Sequence, residues 1–399
     1  MSEKKETKNV FEKLFGGMDV EARFGLMRMA VAILIGLGTA IILILIGAKN
    51  PLESLKYFFL GPLQIFNPNV AKGIGWNYFD QWIQSAIPLL FTGTAICIMF
   101  SANKFNLGLE GAIMMGGLSC GWVCCLLDGD IQAANANPVA CAILGLLVSI
   151  AAGALITSIP ALLEKKWGAS IMVTSLMLNY IALYISRYCL FSTSLRDTKT
   201  SKYSWQWTEN VVLTFRKFMG TRFTLRLGFF IGLAVIVIGW AFLFKTKWGF
   251  KIRQLGQNPS FAKYVGVGIV GTGILVQIIG GAIGGLCGAT VILGNYNYYY
   301  GVELTGYGWD GVTMGIFAGN NPKRVLPAAL FIAYIRAGAS IMATQPGGPI
   351  NELTKIVEGV IVLFLLAEKF LAKTHRKMIV EEAKKKQALK AEAAKEVTE

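Results

Sequence analysis

The sequence predicts an all-α polytopic membrane protein of about ten transmembrane helices, and three observations support this. Of 399 residues, 54% are hydrophobic and only 15% are charged, whereas a soluble domain carries about 25% charged residues. Mean hydropathy is +0.54. Apolar runs approaching the ~20 residues that cross a bilayer recur along the chain. This combination excludes a soluble enzyme, a secreted disulfide-stapled domain and a nucleic-acid-binding module. The formal net charge of +15, from 38 Lys+Arg against 23 Asp+Glu, therefore reads as topology and contact with membrane lipid.

The elements follow in order. Residues 1–28 form a cytoplasmic N-terminal segment that mixes Lys4, Lys5, Lys8 and Lys13 with Glu3, Glu6 and Glu12 and has no small-residue cleavage site. Phe11, Leu14, Phe15 and Met18 fall at helical spacing. The segment either lies along the inner membrane surface or is a solvated tail. A transmembrane domain over residues 29–372 holds apolar windows near 29–48, 83–101, 111–127, 139–162, 169–190, 227–244, 266–293, 311–320, 325–342 and 353–371. The Gly-rich window at 311–320 is too short to cross unaided and requires cover from other protein. Residues 373–399 form a charged cytoplasmic tail of Lys, Glu and Ala that reads as a solvated helix.

Orientation follows from Lys and Arg in short connections. Lys165-Lys166, the stretch Lys245 to Lys263, Lys323-Arg324 and the tail mark one side, while Asp128–Asp130 and Asn295–Asp310 hold no Lys or Arg. Both termini are then cytoplasmic. The external loop 191–226 departs from this pattern, with Arg196, Lys199, Lys202, Arg216, Lys217, Arg222 and Arg226 against Asp197 and Glu209. An acidic extracellular partner is one reason for such a surplus.

Cys97, Cys120, Cys124, Cys125, Cys141, Cys189 and Cys287 lie within or beside apolar windows, and His375 is the one histidine. No zinc-type spacing can be assembled from them, and they read as small residues between helices, so no metal site is expected. Gly280, Gly284 and Gly288 recur at four-residue spacing and permit close helix contact.

The loop 245–265 is longer and more apolar than a connector requires. It predicts a short helix carrying Phe250, Ile252 and Leu255, then Asn258-Pro259-Ser260 as a turn that starts a second helix. Aromatic groups among basic ones point either to docking in a groove of another protein or to an interfacial helix at headgroup level.

Here motifs carry a resemblance. Trp248-Gly249-Phe250 followed by Arg253, Gly256, Asn258-Pro259, Ala262 and Gly266 resembles the coupling loop of ABC importer permeases. More narrowly, the chain resembles the permease family that serves ribose, other simple sugars and nucleosides. Phe91-Thr92-Gly93-Thr94-Ala95 through Phe105-Asn106-Leu107-Gly108-Leu109-Glu110-Gly111 is similar to that family's signature. The nucleoside-carrying members are matched by Trp167-Gly168 through Thr174–Ala182, and by Gly308-Trp309-Asp310-Gly311-Val312-Thr313 with Asn320-Asn321-Pro322 and Arg336–Ala339. The N-terminal segment, the basic external loop and the tail depart from the family pattern.

The resemblance implies a permease subunit without an active site, in a multi-pass setting in the bacterial cytoplasmic membrane. It implies an ABC ATPase that holds ATP and Mg, a second and non-identical permease subunit, and an extracellular substrate-binding lipoprotein. No G-x-x-x-x-G-K-[ST] loop occurs in the chain. For ATPase coupling the candidates are Trp248, Phe250, Arg253, Gly256, Asn258 and Pro259, with Gly256 allowing either a close approach or a helix stop. Polar groups within spans are the candidates for the translocation path: Glu110, Asn179, Tyr180, Gln277, Asp310, Arg336 and Glu358. Glu110 and Asp310 each read equally as helix caps, and Arg336 as an ion-pair partner of Glu358. Arg196, Lys199, Lys202, Arg222 and Tyr298 are the candidates for docking the binding protein. The run Asn295-Tyr296-Asn297-Tyr298-Tyr299-Tyr300 is compatible with an interfacial belt, partner docking or base stacking. A simple-sugar permease is the near alternative. An ion-coupled secondary transporter is the distant one, since it has no ATPase to dock.

Overall fold

In the computed structural model, the described residues are 20–66, 72–128, 137–193, 195–196, 204–207, 211, 226–349, 356, 359–360 and 363. Their helices are α1 Val20–Gly47, α2 Pro51–Leu60, α3 Lys72–Ser101, α4 Leu109–Asp128, α5 Pro138–Trp167, α6 Ile171–Ser192, α7 Leu227–Lys245, α8 Lys247–Gln257, α9 Pro259–Tyr264, α10 Ile269–Asn295, α11 Tyr307–Phe317 and α12 Pro322–Ala343. A 3-10 turn, Gly61–Phe66, follows α2. Among the described residues the only β-type pairing outside helices is an isolated bridge between Arg196 and Ser204.

Six of the described helices are long and apolar enough to cross a membrane: those over Ile74–Ser101, Leu109–Leu127, Pro138–Trp167, Leu227–Lys245, Ile269–Asn295 and Pro322–Ala343. Six of the ten windows are thus matched by such helices among the described residues. Helix α6 has 22 residues but is diluted by Asn179, Arg187 and its tyrosines. The 311–320 window is the 11-residue α11, about 16 Å long and half a bilayer. The window at 353–371 lies largely outside the described residues.

Helix starts follow one local rule. Asn137-Pro138, Asn258-Pro259 and Asn321-Pro322 open α5, α9 and α12 with Pro in the first turn. Each Asn side chain accepts a backbone N–H, from Val139 (3.1 Å), Phe261 (3.0 Å) and Lys323 (3.1 Å). The proline sits where an N–H would have no helical partner, and the asparagine satisfies the next. Helix α5 stops at Gly168, whose φ of 67° suits glycine, with its N–H donated to Glu164 O.

Two compact units are distinguished, residues 1–55 with 346–399, and residues 56–345. In the first, the N–H groups of Lys49 and Asn50 donate to Gly347 O at 3.0 and 3.2 Å. In the second, α3 is the central helix, buried along most of its length against α7, α10, α11 and α12. Helices α5 and α7 leave most of their surface outside the bundle. Val237 and Ile238 of α7 are more than 60% exposed, an apolar surface suited to lipid.

The tightest packing is a glycine seam among α4, α5 and α10. A Cβ on Gly284 would press on Leu109 and Ala112, and one on Gly288 would overlap Ile113 O. A second stripe of α10, absent from the sequence reading, faces α5: a Cβ on Gly281 would overlap Thr157 and Gly153 O, and one on Gly285 would overlap Ser149 O. Gly116 and Gly153 return the contact from α4 and α5. Backbones therefore touch where side chains ordinarily intervene, which strengthens packing in a setting where the hydrophobic effect adds little.

Replacing Gly285 with Val should lower stability by about 3 kcal/mol, the upper end of overpacking costs. Gly294, with open space around it, is the internal control and should accept Ala with a change under about 0.5 kcal/mol. Equilibrium unfolding in mixed detergent micelles reads both.

Candidate functional site

The centre of the second unit is built around residues 105–111, between α3 and α4. The Asn106 side chain donates from Nδ2 to Gln277 Oε1 of α10 (2.6 Å) and accepts from Gly108 N (2.7 Å). From α6, Asn179 Oδ1 accepts from Gly111 N (2.8 Å), Asn179 Nδ2 donates to Leu107 O (2.9 Å), and Ser175 Oγ accepts from Leu107 N (3.1 Å). Asn106, Asn179, Gln277 and Ser175 are all buried. Asn179 and Gln277, read from sequence as path candidates, here hold a loop in place. Thr157 Oγ1 ties Gln277 further by donating to its carbonyl (2.8 Å).

Glu110 stands in the first turn of α4 but caps a different helix. Its carboxylate accepts from Thr305 Oγ1 (2.7 Å), Gly306 N (2.7 Å) and Gly308 N (2.5 Å). These groups belong to the start of α11, whose own N-cap residue Gly306 has no side chain to do this. Gly306 has φ 80°, and a Cβ on Gly308 would collide with Glu110, so glycine is required at both positions. A negative charge at a helix N-terminus, bonded to its free N–H groups, satisfies donors that have no partner within the helix.

Asp310 is not the cap. It forms a bidentate ion pair with Arg336, both bonds 2.6 Å long, with the two side chains about one fifth and one quarter exposed. Arg336 lies fourteen residues into α12, about 21 Å along that helix. Asp310 of α11 is thus an acidic partner of Arg336 that the sequence reading did not pair with it. Glu358 lies outside the described residues.

Tyr180 projects outward from α6. With Tyr184 and Tyr188 it forms a stripe at four-residue spacing, each more than half exposed. A face bearing phenol hydroxyls is poorly matched to lipid tails and suits a water-lined or protein-covered surface.

At the end of the bundle away from α8, residues 296–302 form an irregular loop with bends at 297, 298 and 302. Tyr296, Tyr298 and Tyr300 share one side, with ring centroids 4.4 to 6.4 Å apart. Tyr299 faces the other way, is fully buried, and bonds Ser186 Oγ (2.8 Å) and Met114 O (3.3 Å). A small pocket of about 30 Å³ opens beside it, lined by Ile113, Met114, Tyr300, Glu303, Thr305 and Tyr307 among others. Glu303, Thr305 and Tyr307 gave no signal in the sequence because no motif marks them; the bend of the loop brings them together.

Arg196 is exposed and paired through its backbone to Ser204. Lys199, Lys202 and Arg222 lie outside the described residues. Arg226, part of the basic surplus, is buried and bonded to Asp80 of α3 at 2.7 and 3.1 Å, to Gly294 O at 2.8 Å and to Asn295 Oδ1. One charge of that surplus is thus neutralised inside the bundle.

Helices α8 and α9 form a right-sized elbow on the opposite end. Thr246 Oγ1 caps α8 by accepting from Gly249 N (3.1 Å), and Asn258 caps α9. Ile252, Leu255 and Ala262 are buried against the bundle, while Trp248, Phe250, Phe261 and Tyr264 are about half exposed or more. Asn258 and Pro259 are exposed at the bend. The apolar residues grouped together by the sequence therefore divide, with Ile252 and Leu255 anchoring the elbow and the aromatic residues facing outward. Gly256 lies within α8, where a Cβ would overlap Ser101 O. It serves a close approach to α3 and not a helix stop. Arg253 stacks its guanidinium over Phe244 at 4.9 Å, so it braces α8 on α7.

Comparison with known proteins follows this geometry. Residues 78–366 match the family described as "Branched-chain amino acid transport system / permease component". The guanosine ABC transporter permease protein NupP of Bacillus subtilis (strain 168) is 29% identical over 307 residues, covering 74% of this chain and 86% of that protein. The nucleoside ABC transporter permease protein NupB of Lactococcus lactis subsp. cremoris (strain MG1363) is 27% identical over 355 residues, covering 86% and 90%. The glucose ABC transporter permease protein TsgB13 of Haloferax volcanii is 28% identical over 294 residues, covering 71% and 75%.

Glu110→Gln should cost about 3 kcal/mol, because an amide brings two N–H donors against the donors it must cap. Arg336→Met alone should cost about 3 kcal/mol by stranding Asp310, and Arg336→Met with Asp310→Leu should recover most of that loss. Unfolding midpoints of the single and double variants provide the cycle.

Proposed function

Because the chain belongs to the branched-chain amino acid transport system / permease component family, we propose that it is the membrane-spanning subunit of an ATP-driven ABC importer for nucleosides. The α8–α9 elbow is the observation that carries this reading. Buried Ile252, Leu255 and Ala262 make it rigid with the bundle, and its exposed aromatic groups form a surface for a partner. A rigid contact of this kind passes a partner's closure to the helices it is packed on, α3 and α7. ATP and Mg belong to that partner, an ABC ATPase, and the chain itself is a transport subunit and not an enzyme. The elbow end is then cytoplasmic, in a bacterial cytoplasmic membrane.

A second, non-identical permease subunit is supported by the exposed Tyr180, Tyr184 and Tyr188 stripe of α6, which two subunits facing each other would enclose as a path. A substrate-binding lipoprotein is proposed for the Tyr296–Tyr300 end, where exposed Arg196 offers a positive contact. Nucleosides are favoured over sugars by the guanosine and nucleoside relatives and by the aromatic lining of the nearby pocket, since a flat base stacks on phenol rings. The glucose relative supports the second reading, a simple-sugar permease.

In proteoliposomes holding the complete importer, labelled guanosine uptake should be competed by unlabelled nucleosides and not by excess glucose or ribose. Competition by the free sugars alone would establish the second reading. Gly256→Val should leave ATP hydrolysis measurable while cutting uptake at least tenfold, and Phe250→Ala should weaken recovery of the ATPase subunit on purification. Normal uptake by both variants would exclude the elbow as the coupling contact.

A further inference from the structure

We propose that the junction of α7 and α12 is a binding site for an anionic phospholipid, with the lipid phosphate held between Lys245 and Lys323 beside Trp240. The ammonium of Lys323 lies 3.8 Å from the centre of the Trp240 ring, and that of Lys245 lies 5.9 Å from the same ring. The two lysines come from different helices, and Arg324 follows Lys323. Among the described residues, none of these three groups makes an ion pair with a carboxylate. Two like charges converging on one indole repel each other, and the ring quadrupole offsets only part of that. A phosphate between them removes the repulsion and gains charge-assisted hydrogen bonds. The first turn of α12 begins here at Pro322, so the positive end of its dipole adds to the field.

The position selects a lipid over a soluble anion. Trp240 is one to two turns from the end of α7, at the depth where Trp and Lys anchor helices to the headgroup layer. Val237, one turn deeper, and Ile238 are exposed apolar surface along which acyl chains can lie. The proposal requires only that the chain spans a membrane, not that it carries nucleosides.

The test uses the importer complex, delipidated in detergent and titrated with phosphatidylglycerol or phosphatidylcholine at equal concentration, with bound lipid counted by native mass spectrometry. Phosphatidylglycerol should be retained at least fivefold over phosphatidylcholine. Lys245→Gln with Lys323→Gln should abolish that preference, whereas Lys245→Arg with Lys323→Arg should keep it at an unchanged unfolding midpoint. Excess inorganic phosphate should not displace the lipid. Equal retention of the two lipids by the native complex would overturn the site, even if the Gln variant fails to fold. So would a Gln variant that keeps the preference, or displacement by phosphate alone. Loss of the ATPase subunit with the lipid preference intact would assign the lysines to that protein contact instead.

Discussion

The first N–H groups of a helix have no partner within it, and in this protein the buried carboxylate of Glu110 supplies one for α11. Its carboxylate takes Gly306 N, Gly308 N and the Thr305 hydroxyl. These bonds fix where α11 begins relative to the first turn of α4. Once α11 is seated, Asp310 falls opposite Arg336, and α12 is fixed in turn. The loop from which Glu110 projects is itself held by Asn179, Ser175, Asn106 and Gln277. Glu110 thus joins α4 to the start of α11, while a separate amide cluster ties the loop before α4 to α6 and α10, and the Asp310–Arg336 pair ties α11 to α12.

Around this network, packing is achieved by removing side chains. The glycines of α10 let α4 and α5 approach to backbone contact, and rigid neighbours of this kind transmit displacement better than flexible ones. At one end of the same bundle, Gly256 brings the α8–α9 elbow against the end of α3. A force on the exposed aromatic groups of the elbow therefore reaches α3, the most deeply buried of the six long apolar helices.

Much of this was legible in the sequence because it is local. The Asn258-Pro259 start, the four-residue glycine spacing and the two-helix form of residues 247–264 each follow from chemistry within one or two turns. The family motifs were legible for the same reason, as short runs of consecutive residues. The roles of their polar members were not. Glu110, Asn179 and Gln277 carry the residue types expected of a path, yet in the structure they bond backbone and side chains of distant segments. Sequence alone ranks such residues by the cost of burying them, and that cost is the same whether a substrate or a neighbouring helix removes it.

By itself, the sequence determined the membrane class, most helix positions, the short Gly-rich segment and the elbow. Periodicity, capping and composition are properties of nearby residues, so no knowledge of the packing is needed to read them. Tertiary structure alone decided the pairings: Arg336 with Asp310, Arg226 with Asp80, Glu110 with the start of α11, and Lys323 with Trp240. Each joins groups on different helices, and an ion pair or cap depends on distances of about 3 Å. Such distances are set by how helices pack and not by spacing along the chain.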